Sequence, residues 1–140
     1  MIRAVYIARV SDGLPLVASL GGSDLHREFP EYKDQLKQIV QSVTSGATIE
    51  PKFTLFAGSS RFAFHSCIDL GIAYVCITER SFQKRQAYGF LDAVRSALCE
   101  EFTSEELQNA MRPYALLRFE SALEKLKKSY SDSSIASQMT

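Results

Sequence analysis

Two histidines, His26 and His65, and three cysteines, Cys67, Cys76 and Cys99, are the residues of this chain best suited to nucleophilic or metal chemistry. His65 and Cys67 stand two apart in a segment of strand character, so their side chains share a face and could form a thiol–imidazole dyad. A working dyad needs a third group to orient the base, and none stands at a suitable spacing. Packing partners on a half-buried face is the simpler reading. A zinc set of His65, Cys67 and Cys76 fails similarly, since a closed site takes four ligands at characteristic spacing. Gly21-Gly22-Ser23 could cradle a phosphate, but it lacks the Lys-Ser/Thr of a P-loop and the G-x-G-x-x-G of a dinucleotide fold, so it reads as a loop. Glu100-Glu101 and Glu105-Glu106 lie in polar surroundings without the desolvation that acid catalysis requires. No catalytic, cofactor-binding or metal-binding residue is assigned. Function is expected in surface shape and exposed apolar area.

Bulk properties agree. With 140 residues, 46% hydrophobic and 23% charged, one domain with one core is expected. Sixteen basic residues balance sixteen acidic ones, which removes the broad positive field of a nucleic-acid or anionic-membrane binder. Lys125, Lys127 and Lys128 read as a solvated helix end, where cations meet the negative end of the dipole. The cysteines form no C-x-x-C pair and lie in apolar-patterned segments, which suits buried thiols in a reducing compartment. Met1 to Val10 lacks a secretory leader's pattern, and no apolar run approaches ~18 residues, so a cytosolic chain is expected.

The elements that must position a binding surface follow from periodicity. Ala4 to Val10 and Leu14 to Leu20 read as a hairpin turned at Ser11-Asp12-Gly13. After the loop at Gly21 to Asp24, Leu25, Phe29, Tyr32, Leu36, Ile39, Val40 and Val43 recur at helical steps. Pro30 is placed at the first helical position, giving a helix over 30–44 with an irregular lead-in at 25–29. Strands are predicted at 52–57, 61–67 and 72–78, joined through Gly58-Ser59-Ser60 and Asp69-Leu70-Gly71. The last is apolar without alternation, which places it centrally in the sheet. Ser81 is read as the cap of a helix carrying Ala87, Phe90, Leu91, Val94, Leu98 and Phe102. Thr103-Ser104 interrupts it, a polar stretch spans 105–111, and Pro113 opens a last helix with Leu116, Phe119, Leu123, Leu126 and Tyr130. The order is β-β-α-β-β-β-α-α, an α/β (α+β) domain over residues 1–130 with a mobile tail at 131–140.

Ala8-Arg9-Val10-Ser11-Asp12-Gly13-Leu14-Pro15-Leu16, Gly71-Ile72-Ala73-Tyr74 and Arg112-Pro113-Tyr114 with Arg118-Phe119-Glu120 and Lys125-Leu126-Lys127-Lys128-Ser129-Tyr130 resemble the longin domain of the ER-to-Golgi R-SNAREs. The resemblance runs from about Ile2 to Asp132. It implies a profilin-like fold: a five-stranded antiparallel sheet with one helix on one face and two on the other. It also implies a non-catalytic protein-interaction module working in vesicle transport at the cytosolic face of ER, intermediate-compartment and Golgi membranes. The partners implied are the protein's own downstream linker and SNARE segment, the inner shell of the COPII coat, and cognate SNAREs. In that family a SNARE helix and a membrane anchor follow the domain, and neither is found in this sequence. A longin-like subunit of a tethering or adaptor complex is the alternative.

The implied binding groove runs between the first helix and the third strand, and falls on Tyr32, Leu36, Ile39, Val40 and Val43 with Phe53, Leu55 and Phe56. An exposed strand edge supplies main-chain affinity, and a neighbouring helix flank supplies pockets. Most of these apolar positions are also expected in the core, because a helix uses its one apolar stripe to pack on its sheet. Ile135 and Met139 are the tail's candidate apolar anchors.

Overall fold

A computed structural model describes residues 1–20, 23–46, 50–56 and 61–131. The strands are β1 (Ile2–Arg9), β2 (Pro15–Ser19), β3 (Lys52–Phe56), β4 (Phe62–Asp69) and β5 (Ile72–Glu79). They form one antiparallel sheet in the order β2-β1-β5-β4-β3. The strand without alternation, β5, is central as its pattern requires: Ile72 through Thr78 are all buried, because layers of helix cover both faces. The tight β4–β5 connection turns on Leu70 and Gly71, with φ of 49° and 79°, the left-handed pair that matches the twist of a two-residue hairpin.

Strand alternation divides the core in two. On one face Ala4, Tyr6 and Ala8 of β1, Phe62 and Phe64 of β4, and Val75 and Ile77 of β5 meet α1 (Ser23–Glu28) and α2 (Tyr32–Thr44). On the other, Val5, Ile7, Cys67, Tyr74 and Cys76 meet α3 (Lys84–Glu101) and α5 (Glu120–Ser131), with the short α4 (Ser104–Asn109) at one end.

The helices depart from expectation in four places. Leu25 to Phe29 is not an irregular lead-in: α1 is helical, and Pro30 lies in the link to α2 instead of opening it. Phe29 explains the break, since its ring stacks on Phe62 at 5.6 Å and meets Phe64 edge-on at 5.9 Å, which draws the chain down onto β4 between the helices. Ser81 does not cap α3. The Phe82 N–H bonds the Glu79 carbonyl as Phe82 enters the core, so the helix starts after Gln83. Pro113 does not open the last helix either. Tyr114 has φ +58°, and its N–H and that of Leu116 bond the carbonyls of Pro15 and Leu16. This lays the segment against β2 and delays α5 until a 3-10 turn at Leu117–Phe119 has passed.

Thr103-Ser104 interrupts the helices as anticipated, but the polar stretch behind it is helical. The Glu106 N–H bonds Thr103 Oγ1 at 3.1 Å and the Glu106 carboxylate returns to the Thr103 N–H, a capping box that starts α4. Thr103→Ala should cost about 1 kcal/mol of stability, to be read as a lower urea midpoint with an unchanged m-value.

Candidate protein-binding edge

The two edges of the sheet are treated differently. Against β2 lies the 113–116 segment, while β3 pairs only with β4 among the described residues. The Pro51 carbonyl accepts from the Ile68 N–H at 2.7 Å. Antiparallel alternation from that pair turns the main-chain groups of Phe53 and Leu55 inward to β4 and those of Lys52, Thr54 and Phe56 outward. An arriving strand would find three N–H groups and three carbonyls there.

The same alternation sorts the side chains. Phe53 and Leu55 lie on the α2 face, where Phe53 packs against the core cluster and Leu55 is 46% exposed. Lys52, Thr54 and Phe56 lie on the α3 face, shown by the hydrogen bond of Thr54 to Tyr88 and the cations of α3 and the β5 end over Phe56. Phe56, half exposed, therefore does not share a wall with α2, a correction to the groove read from sequence. Tyr32, Leu36, Ile39, Val40 and Val43 are all buried, between 1% and 7% exposed. All five serve the core, so the exposed apolar area of this edge comes from β3 itself.

Around Phe56 the field is positive. The Arg80 guanidinium stands 4.8 Å from the ring centroid and Lys84 Nζ 5.7 Å, while Lys52 lies 3.6 Å from Asp92 and 5.9 Å from the Tyr88 ring. Arg80 and Lys84 were not singled out from sequence; the alternation along Lys52 to Phe56 was the signal that should have separated Phe56 from Leu55. Beneath the edge, His65 Nδ1 meets Thr54 Oγ1 at 3.0 Å and Nε2 meets Thr78 Oγ1 at 2.9 Å. Burial, with the nearby Lys84 charge, pushes its pKa down to about 4. Neither ring nitrogen is directed to Cys67, and burial raises the thiol pKa of Cys67 and Cys76. On the opposite face Glu28 bridges Arg61 at 2.6 Å and Arg3 at 3.2 Å, and the Arg61 hydrogen bond lowers its carboxyl pKa.

A separate cleft of ≈ 610 Å³ opens between α2 and the β1–β2 hairpin, lined by residues including Tyr6, Asp12, Val40 and Tyr114. It touches neither His65 nor Cys67. Among the described residues no three His, Cys, Asp or Glu side chains come together, and no helix is long and apolar enough to cross a membrane. Ile135 and Met139, like Gly21-Gly22 and Gly58-Ser59-Ser60, lie outside the described residues.

Comparison with known proteins places this geometry in context. Residues 16–123 match the longin model, described as a regulated-SNARE-like domain. The chain is 32% identical over 130 residues to the protein transport protein sec22 of Schizosaccharomyces pombe, covering 93% of this chain and 58% of that protein. It is 33% identical over 134 residues to the vesicle-trafficking protein SEC22b of Xenopus tropicalis, covering 95% and 60%. With the 25.3 kDa vesicle transport protein SEC22-1 of Arabidopsis thaliana it shares 30% over 135 residues, covering 94% and 59%. The chain thus spans about three fifths of the length of these relatives.

Proposed function

The chain belongs to the longin family of vesicle-trafficking SNARE domains, and from that premise we propose that it is the regulatory recognition module of an R-SNARE acting between the ER and the Golgi. It works by clasping an extended polypeptide along the outer edge of β3, without catalysing a reaction. The first candidate ligand is the segment following the domain, beginning at residues 131–140 with Ile135 and Met139. The inner shell of the COPII coat would recognise the closed form, and cognate SNAREs would engage the protein once the segment is released. Its working place is the cytosolic face of ER, intermediate and Golgi membranes.

One observation carries this reading: the outward main-chain groups of Lys52, Thr54 and Phe56, flanked by the exposed side chains of Leu55 and Phe56. An edge of this kind invites aggregation unless something covers it, and five residues is long enough to hold a strand in one register. Hydrogen exchange on the chain with and without residues 132–140, and with purified COPII inner-shell coat added, tests it. Amides 52–56 should gain protection when the tail is present or the coat is added. Protection that appears only elsewhere, or nowhere, would remove the assignment.

A further inference from the structure

We propose that the cleft between α2 and the β1–β2 hairpin is a binding site for a small monocarboxylate with an apolar body, separate from the β3 edge. Its volume of ≈ 610 Å³ lies within the range that small-molecule sites occupy. The space arises from the sequence around Tyr6. On the α2 face of β1, Tyr6 stands between Ala4 and Ala8, and its partner across the hairpin is Ala18. These side chains are too small to reach the flank of α2, so room remains beside Val40 where larger residues would have packed. At one end the hairpin turn closes on the helix: a Cβ on Gly13, which has φ +73°, would stand 3.6 Å from Val40 Cγ1 and 3.7 Å from Thr44 Oγ1.

A buried donor lines this space without a partner of its own. Tyr6 is 5% exposed, yet its hydroxyl makes no hydrogen bond among the described residues. A buried phenol ordinarily finds one. Burial, with Tyr114 nearby, raises its pKa to about 12, so at neutral pH it keeps its proton and can donate. Tyr114 joins it from the segment laid against β2, at φ +58°, a conformation that a tyrosine adopts only where its surroundings hold it. Here the hold is its N–H on the Pro15 carbonyl at 2.8 Å. Two phenol donors thus line one cleft.

The charges on the wall decide the sign of the ligand. Both oxygens of Asp12 are held by Arg9, at 3.0 and 2.6 Å, and Oδ1 also accepts the Leu14 N–H at 3.1 Å, so this carboxylate is answered within the hairpin. At the end of α2 the Gln41 and Val43 carbonyls accept the N–H groups of Ser45 and Gly46. Lys37 has no ion pair among the described residues, which makes it the unanswered charge of the cleft, on a flexible stem that can follow a bound group. An anion meets an ammonium and neutral hydroxyl donors, whereas a cation meets like charge and no free carboxylate. The apolar body of the ligand rests on Val40, Pro15 and the tyrosine rings. Because β1 and β2 lie at the opposite end of the sheet from β3, filling the cleft leaves the β3 edge untouched, and the site stands whether or not that edge binds a peptide.

The test is an amide NMR titration of the full chain with phenylpropionate, phenylpropylamine and phenylpropanol, which share one apolar body and differ in charge. The acid should shift the amides of Gly13, Gln41, Thr44 and Tyr114, leave 52–56 unmoved, and bind about tenfold tighter than the alcohol, with the amine weakest. Lys37→Gln alters an exposed side chain and should bring the acid and the alcohol to within about twofold of each other. Tyr6→Phe should weaken the acid about tenfold while the urea midpoint stays level or rises, since the hydroxyl removed bonds nothing in the described fold. A lower midpoint would give that hydroxyl a structural role and overturn its assignment as a ligand donor. Equal binding of the three probes overturns the carboxylate assignment. No shift with any probe, or shifts confined to 52–56, overturns the site. Tighter binding of the peptide Gly-Ser-Gly-Phe through its free carboxyl terminus than of phenylpropionate overturns the small-molecule assignment in favour of a chain end.

Discussion

Arg9→Met is expected to remove about 3–5 kcal/mol of folding stability and to lower Tm by roughly 10 °C. Arg9 is 7% exposed, on the α3 face of β1, and its guanidinium is used almost to capacity. Nε and Nη2 grip both oxygens of Asp12 at 3.0 and 2.6 Å, and Nη1 donates to the carbonyls of Leu107, Gln108 and Ala110 at 3.2, 2.8 and 2.7 Å. These carbonyls belong to the end of α4 and the residue after it, groups that a short helix leaves without partners and that favour a cation. The side chain thus joins the β1–β2 turn to the far end of α4. Methionine retains the apolar stem but leaves three carbonyls without their donor, while the Asp12 carboxylate keeps only the Leu14 N–H and water. Lysine cannot reproduce the planar fork and should rescue only part of the loss. Asp12 is half exposed, and the Arg9 hydrogen bonds hold its pKa down at about 2, so Asp12→Asn should be much milder. Urea denaturation measures all three variants. A loss below about 1 kcal/mol for Arg9→Met would show that water replaces the clasp at little cost.

Acidification should weaken the fold through His65 before the carboxylates matter. The unfolded chain takes up this proton near 6.5, the folded one only near 4, because protonation would place a charge in a buried site already under the field of Lys84. Between those values the unfolded state binds more protons, so stability is full above pH 6.5 and falls as pH drops toward 4. The whole effect is about 3 kcal/mol, of which roughly 2 appears between pH 7 and pH 5. The downward-shifted carboxyls of Asp12, Glu28, Glu106 and Glu124 add their loss at lower pH. Stability curves of the wild type and His65→Gln separate the contributions: the variant should be less stable at pH 7 yet nearly flat from 7 to 5. An equally steep fall in the variant would move the acid sensitivity to another group. Because His65 holds Thr54, whose main chain faces the open edge, the same titration should loosen β3 and raise exchange at 52–56 as the pH falls.

The strands, the core and the helix-rich faces were legible in local pattern. A central, doubly covered strand has to be apolar throughout, and Ile72 to Thr78 is. The α2 stripe and the buried row of α3 follow from 3.6-residue spacing, since that spacing is what one-sided packing on a sheet selects. Where reading by pattern failed, a distant group had taken over a local signal. Pro113 and Ser81 carry ordinary helix-start chemistry, yet β2 claims the amides of Tyr114 and Leu116, and the core claims Phe82. The Leu25–Phe29 stretch is too short to announce a helix by periodicity, and its conformation is set by the stacking of Phe29 on β4.

By itself, then, the sequence determined which residues are buried, how many strands there are and that α/β packing results, because burial imposes a period on the chain and the period is written locally. Only the tertiary structure decided which edge stays open, since that depends on the 113–116 segment lying against β2 and on nothing in the described residues lying against β3. It alone divided Phe53 and Leu55 from Phe56, and brought Arg80 and Lys84, from another strand end and another helix, to one aromatic ring. Charges gathered from distant parts of a chain have no spacing in sequence. Their sum exists only after the sheet has set its register.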